Sequence, residues 1–513
     1  MNLDSRELEA QLLESGTGTR QFIHSREVAA LLESFGYGDR SVKEAGFPNI
    51  FSFAENLLGR LQPGSEMESD QEIARKRTTS REELRCAVRK FSLSLSYVVP
   101  WMALLVLEYF RPNALDVPPE LGGALGLALI ASLITAGGFI QMISRSGSFY
   151  YGLEEPGLAR RICMSLVNVG LTSGLLLGVL GMVLGAYFQV FAGSYLLLAA
   201  MTYVALSLLW MFCAVLSVQE IGWCVPVVFL VSALMSALIK TIAGASNAIV
   251  LTLWPVTAGV CALGWVLWGF RHAQKKFKRS QTKARPRVGV FSISLAPFYL
   301  YGTLYFSFLF ADRLVAGSVV PWTSGLSFGI DPAYKRGMDL VLLGFLMTAA
   351  LVEYLGDSFV RFWQRRALET PQARADQLAT GLSRLHTKMT LLISIAFILL
   401  SLSAWSLLAF VNGAAPPARM LYTAILGGTG YLLLSLALLE IVILSSCNAT
   451  SLALASIGPG LAVNLLVGYG LSHLWGVQYA AAGLLAGSTV VLWRCHAAVR
   501  HVLRYPDYYY SIS

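Results

Sequence analysis

The chain has 513 residues, of which 13% are charged and 55% hydrophobic, with a mean hydropathy of +0.60 and a formal net charge of +9. A soluble protein carries about 25% charged residues and cannot hide this much apolar side chain, so part of the solvent must be lipid. The positive residues sit between apolar runs, where membrane topology needs them, which excludes a nucleic-acid binder.

Residues 1–84 read as a cytoplasmic N-terminal extension and linker. Leu8, Leu12 and Leu13 recur at helical spacing, as do Val28, Leu31 and Leu32. A third pattern starts at Phe47-Pro48-Asn49-Ile50-Phe51 and runs through Phe53, Leu57 and Leu58. Two or three short helices outside the membrane are expected. No apolar signal region opens the chain.

A membrane span needs roughly 20 apolar residues. On that criterion spans fall near 91–110, 121–143, 162–188, 193–216, 222–242 and 247–269. A second set follows near 289–311, 338–358, 387–411, 420–446, 449–470 and 477–498. The fold class is all-α integral membrane, with about twelve spans in two six-helix bundles. The lobes cover 85–270 and 289–505, with a basic linker at 271–288 and a tail at 506–513. Gly and Ala enrichment in 121–143 and 449–470 suits close helix packing in lipid.

Lys and Arg orient the chain. With a cytoplasmic N-terminus, 27 fall on the inside and six on the outside, and the other six lie in residues 1–74. Such asymmetry places both termini in the cytoplasm. Each half also has a longer charged loop after its second span, at 144–161 and at 359–386. Matching loops at matching places suggest a two-lobe repeat, which fits alternating access around a central site.

An ionisable group inside a span is costly, so each is a functional candidate. Glu440 is the clearest, because apolar helix continues beyond it and it needs a partner, a cavity or a proton. Glu353 and Asp357 are four apart and share a helical face at the inner end of span eight. They bind a cation or share a proton on one reading, and are an interfacial pair neutralised by Arg361 and Arg365 on the other. Asp312 and Arg313 end span seven as a gate or ion pair, or simply reach the headgroups. Prolines 100, 226, 255, 297 and 459 fall in or near spans and permit bending.

Enzyme signals are missing. There is no GxxxxGK[ST] and no HExxH. The histidines His24, His272, His386, His496 and His501 lie in or beside cytoplasmic segments, and His473 in an outer loop. The first outer loop offers only Asp116 and Glu120 to a glycosyltransferase reading. The seven cysteines form no CxxC pair and no metal-spaced Cys/His cluster, so no disulfide, metal or cofactor is expected.

The span pattern, with its basic central loop, resembles the multidrug/oligosaccharidyl-lipid/polysaccharide (MOP) flippase superfamily. Within it, the chain resembles the Pel exopolysaccharide exporter (PelG) family. The residues carrying this are Tyr301-Gly302-Thr303-Leu304-Tyr305 through Ala311-Asp312-Arg313-Leu314, then Asp331-Pro332-Ala333-Tyr334. Span eight continues as Asp339-Leu340-Val341-Leu342 and closes as Tyr354-Leu355-Gly356-Asp357-Ser358-Phe359-Val360-Arg361. The resemblance implies movement of a polysaccharide or lipid-linked saccharide across the inner membrane. It also implies work beside a cytoplasmic glycosyltransferase and other membrane subunits. A proton- or sodium-coupled multidrug antiporter on the same scaffold is the alternative.

Overall fold

The computed structural model describes residues 47, 50–61, 118–153, 155–276, 288–319, 328–329, 331–369, 375–412, 417–447 and 449–504, with isolated positions between 42 and 99. The chain divides into two compact units, Met1–Ser80 and Arg81–Ser513. In the first unit, helix α1 (Ile50–Leu61) follows the pattern that begins at Phe47. The Phe47 ring packs on Phe53, with centroids 5.0 Å apart. The two earlier leucine patterns lie outside the described residues.

The second unit is built of long helices. The first six-span set contributes α2 (Pro119–Gly152), α3 (Pro156–Tyr187), α4 (Gly193–Val218), α5 (Cys224–Ala243) and α6 (Asn247–Lys276). The second contributes α7 (Val288–Val319), α8 (Pro332–Glu369), α9 (Ala375–Asn412), α10 (Ala418–Ser446), α11 (Thr450–Trp475) and α12 (Ala480–Arg504). Among the described residues, ten of these are long and apolar enough to cross a membrane. The remaining one, α7, is a continuous helix of 32 residues that carries Tyr299, Tyr301, Tyr305, Asp312 and Arg313 in its length. The first expected span, 91–110, lies largely outside the described residues.

The two bundles repeat one set of pairings. In the first, α2 packs on α3 and α4, α4 packs on α6, and α5 packs on α6. In the second, α8 packs on α9 and α10, α10 on α12, and α11 on α12. Adding six to each helix number converts one set into the other. The least enclosed spans, α3 and α9, are equivalent under the same shift. Their outward faces carry Leu176, Val179 and Val183 on α3, and Leu391, Leu399 and Leu402 on α9. In a membrane these faces meet lipid tails.

Helix ends follow proline and glycine chemistry. Pro119, Pro156 and Pro332 sit at first-turn positions, where a missing N–H costs nothing. Gly244 ends α5 at φ 62°, a conformation that glycine adopts without strain. The helices overrun the expected spans. The 144–161 loop shrinks to a short turn, because α2 continues to Gly152 and α3 starts at Pro156. Likewise α8 continues to Glu369 and α9 starts at Ala375, so most of the 359–386 loop is helix. Backbone hydrogen bonding continues after the apolar stretch stops, since water satisfies polar side chains on a helix as readily as on a loop.

The bundles meet along α2 and α7. Ile130 and Leu133 of α2 join the core that also contains Phe308, Phe345 and Tyr431. The backbones come closest at a glycine pair. A Cβ on Gly302 would strike the Gly137 carbonyl oxygen, and one on Gly137 would lie 2.9 Å from the Gly302 carbonyl oxygen. A second glycine seam joins α11 and α12, where Gly468 and Gly483 face each other. Without a hydrophobic force between helices in lipid, close backbone approach is what makes such seams adhesive.

Candidate functional site

Among the described residues, the buried acidic and basic side chains are Asp312, Arg313, Asp339, His386 and Glu440. All lie in the second bundle and form two clusters.

The first cluster joins α7, α8 and α10. It starts from local chain geometry. Asp331 precedes Pro332 and its carboxylate accepts the Tyr334 N–H at 2.8 Å, a side-chain cap on the start of α8. That cap holds Tyr334, whose Oη donates to Asp312 Oδ2 at 2.8 Å. Arg313, the next residue on α7, donates from Nη1 to Tyr431 Oη on α10 at 2.8 Å. Its Nη2 reaches Asp339 Oδ1 at 3.3 Å, and its Nη1 lies 3.5 Å from Asp312 Oδ1. Lys335, one helical turn before Asp339, lies 3.3 Å from the other Asp339 oxygen. Two carboxylates and two cations therefore balance. Asp312 is fully buried and Arg313 is 7% exposed. Of the two readings, an ion pair or a span end at the headgroups, the geometry is that of a buried ion pair, because α7 continues past residue 311 to Val319 and carries it into the bundle.

The second cluster lies toward the C-terminal ends of α10 and α12. Glu440 of α10 is 2% exposed. His386 of α9 places Nε2 3.0 Å from both Glu440 oxygens. His496 of α12 places Nδ1 2.8 Å from Glu440 Oε1. The imidazole rings stack with centroids 5.7 Å apart. Glu440 thus has the partners that its burial demanded, and they are two residues that the sequence reading assigned to cytoplasmic segments.

Glu353 and Asp357 are not part of either cluster. Both sit on the exposed face of α8. Asp357 lies 4.0 Å from Arg361, one turn on. Between the clusters, the Thr348 and Ser435 hydroxyls are 3.0 Å apart and join α8 to α10.

Sequence reasoning singled out Asp312, Arg313 and Glu440 but missed what surrounds them. Asp339 and Tyr334 were visible only as parts of a motif. Tyr431, His386 and His496 had no local signal. The one available clue was that a mid-helix glutamate requires a compensating group.

No family model matches the chain, and no curated protein matches it. Solved structures do. The MATE transporter VcmN of Vibrio cholerae, crystallised as a point mutant, is 14% identical, with 83% of this chain covering 98% of that one at a TM-score of 0.57. An inward-facing multidrug resistance MATE family transporter of the MOP superfamily is 11% identical, with coverages of 81% and 98% and a TM-score of 0.53. An outward-facing one is 12% identical, with coverages of 81% and 95% and a TM-score of 0.52. The fold is therefore that of the MATE-like transporters, in a multi-pass membrane protein.

Proposed function

We propose that the protein exports or flips a polysaccharide or lipid-linked saccharide by alternating access between its two bundles. The observation that carries the transport reading is the set of helix pairings repeated between the two bundles, joined at the Gly137–Gly302 contact and shared in fold with MATE transporters. Two rigid bundles on a tight, small-residue seam can rock without breaking their own cores. The saccharide reading rests on the resemblance of the α7–α8 segment to the Pel exopolysaccharide exporter family. It fits a site at the inner membrane, with both termini in the cytoplasm. It also fits a cytoplasmic glycosyltransferase and other membrane subunits as partners, with the N-terminal unit available for docking.

The charge balance of the Asp312–Arg313–Asp339–Lys335 cluster supports a role in holding the second bundle together. The test is deletion of the gene, with surface polysaccharide as the readout. Restoration by the wild type but not by Gly302→Val is the expected result. Surface polysaccharide unchanged by deletion sinks the saccharide reading.

A cation-coupled drug antiporter is the second reading, favoured by the multidrug resistance transporters of the same fold. It requires purified protein in vesicles to move a cationic dye against an imposed proton or sodium gradient. Dye movement, together with intact surface polysaccharide on deletion, would replace the first reading.

A further inference from the structure

We propose that His386, Glu440 and His496 form a binding site for a divalent transition-metal ion of the zinc class, linking α9, α10 and α12. The donor set is two imidazole nitrogens and a carboxylate, which suits zinc and rejects magnesium or calcium, both of which prefer oxygen. One ligand atom from each residue lies within 4.8 Å of the others. Zinc bonds of about 2.0–2.1 Å set tetrahedral ligands roughly 3.3 Å apart. The two Glu440–imidazole pairs, at 3.0 and 2.8 Å, need open by only a few tenths of an ångström, and the two imidazole nitrogens lie within 4.8 Å of each other.

Burial and charge favour the ion. Each imidazole nitrogen facing Glu440 must carry a proton to bond with it, and a dication replaces both protons at once. Metal binding then releases protons, as it does at other histidine sites. His386 and Glu440 are buried, whereas the His496 side chain is 41% exposed. That half-open side leaves an entry path and a fourth coordination position for water. A bound ion ties three helices of the second bundle together at one end, adding to the apolar packing of Leu382, Ile443 and Val499 there. The site does not depend on what the protein transports.

The experiment uses full-length protein without a polyhistidine tag, stripped by chelator in detergent and titrated with zinc or cobalt. The expected result is one zinc per chain at micromolar concentration, with magnesium inert. Cobalt should give the visible absorption of a low-coordinate nitrogen–oxygen site. Zinc should raise the unfolding temperature. His496→Asn, at the half-exposed position, should keep a monodisperse elution profile and weaken zinc binding at least about tenfold. The His386→Gln/His496→Asn pair should abolish the cobalt bands. No zinc bound by wild type at tens of micromolar overturns the proposal, and so does equal zinc affinity in wild type and His496→Asn. Either result leaves the three residues as a hydrogen-bonded network only.

Discussion

The two bundles share a pairing scheme but are held together by different means. The core of the first, from Ala136 and Phe139 through Val266 and Phe270, takes in neutral polar side chains such as Ser132 and Gln219 but, among the described residues, no buried Asp, Glu, Lys, Arg or His. Its long-range polar contacts are modest: Gln219 Nε2 donates to the Val266 carbonyl at 3.0 Å, and Trp210 Nε1 donates to Ser132 Oγ at 3.1 Å. The second carries every buried Asp, Glu, Arg and His among the described residues. The described helices of the first bundle therefore pack without buried charge. The charges in the other were retained at a desolvation cost, and that cost requires a reason beyond folding, such as a fixed register between helices or a bound ion.

The sharpest way to break this comparison is Arg313→Leu. It leaves Asp312 and Asp339 without their shared cation in a buried site, which costs about 3–5 kcal/mol. We expect a large fall in the unfolding temperature in detergent. Arg313→Lys should rescue only part of it, because an ammonium cannot span Tyr431 and Asp339 as the planar guanidinium does. In the first bundle, Gln219→Leu should cost about 1 kcal/mol, the price of one hydrogen bond. Equal losses in the two bundles would erase the distinction.

Next in size is the seam. Gly302→Val places branched carbon against the Gly137 carbonyl, and overpacking of this kind costs about 1–3 kcal/mol. Transport should fall further than stability, since the seam governs how the bundles rock. Gly259→Ala is the control, because its added methyl meets nothing within 4 Å. A Gly302→Val protein that transports normally would remove the seam from the mechanism.

Much of this fold was legible in the sequence because apolar runs of bilayer length are physically unambiguous. The eleven helices from α2 to α12 fall where hydropathy placed spans, and ten of them are long and apolar enough to cross a membrane. Their ends were not legible. Hydropathy marks where lipid contact stops, whereas Pro156 and Pro332 mark where a helix can start. The expected boundary at residue 311 put Asp312 and Arg313 at the span's end and left their setting open, whereas α7 runs on to Val319 with both side chains buried. The clusters were legible by half. Burial made Glu440 a candidate, but His386 and His496 are 54 and 56 residues away in the chain. Such distances leave no spacing signature, and only the α9–α10–α12 packing brings the three together.

Glu440→Gln keeps the shape of the side chain and removes its charge. Both imidazoles lose a charge-assisted acceptor, and the cost should be about 1–3 kcal/mol. Thermal unfolding measures it, and Gln219→Leu in the first bundle sets the scale of a neutral loss. A destabilisation below that of Gln219→Leu would show that a neutral amide oxygen satisfies the two histidines as well as the carboxylate does.

The smallest effects belong to the exposed face of α8. Asp357→Asn removes a partner of Arg361 at 4.0 Å, and exposed pairs of this kind contribute at most about 1 kcal/mol. Glu353→Gln lies on the same face and should be as mild in stability. Transport separates the two roles this face can have. If both variants carry substrate at the wild-type rate, the face is an interfacial surface, and the second bundle's functional charge is confined to its interior. If Glu353→Gln folds normally but fails to transport, charge acts at the surface of the second bundle as well. The contrast with the first bundle would then turn on transport chemistry instead of packing.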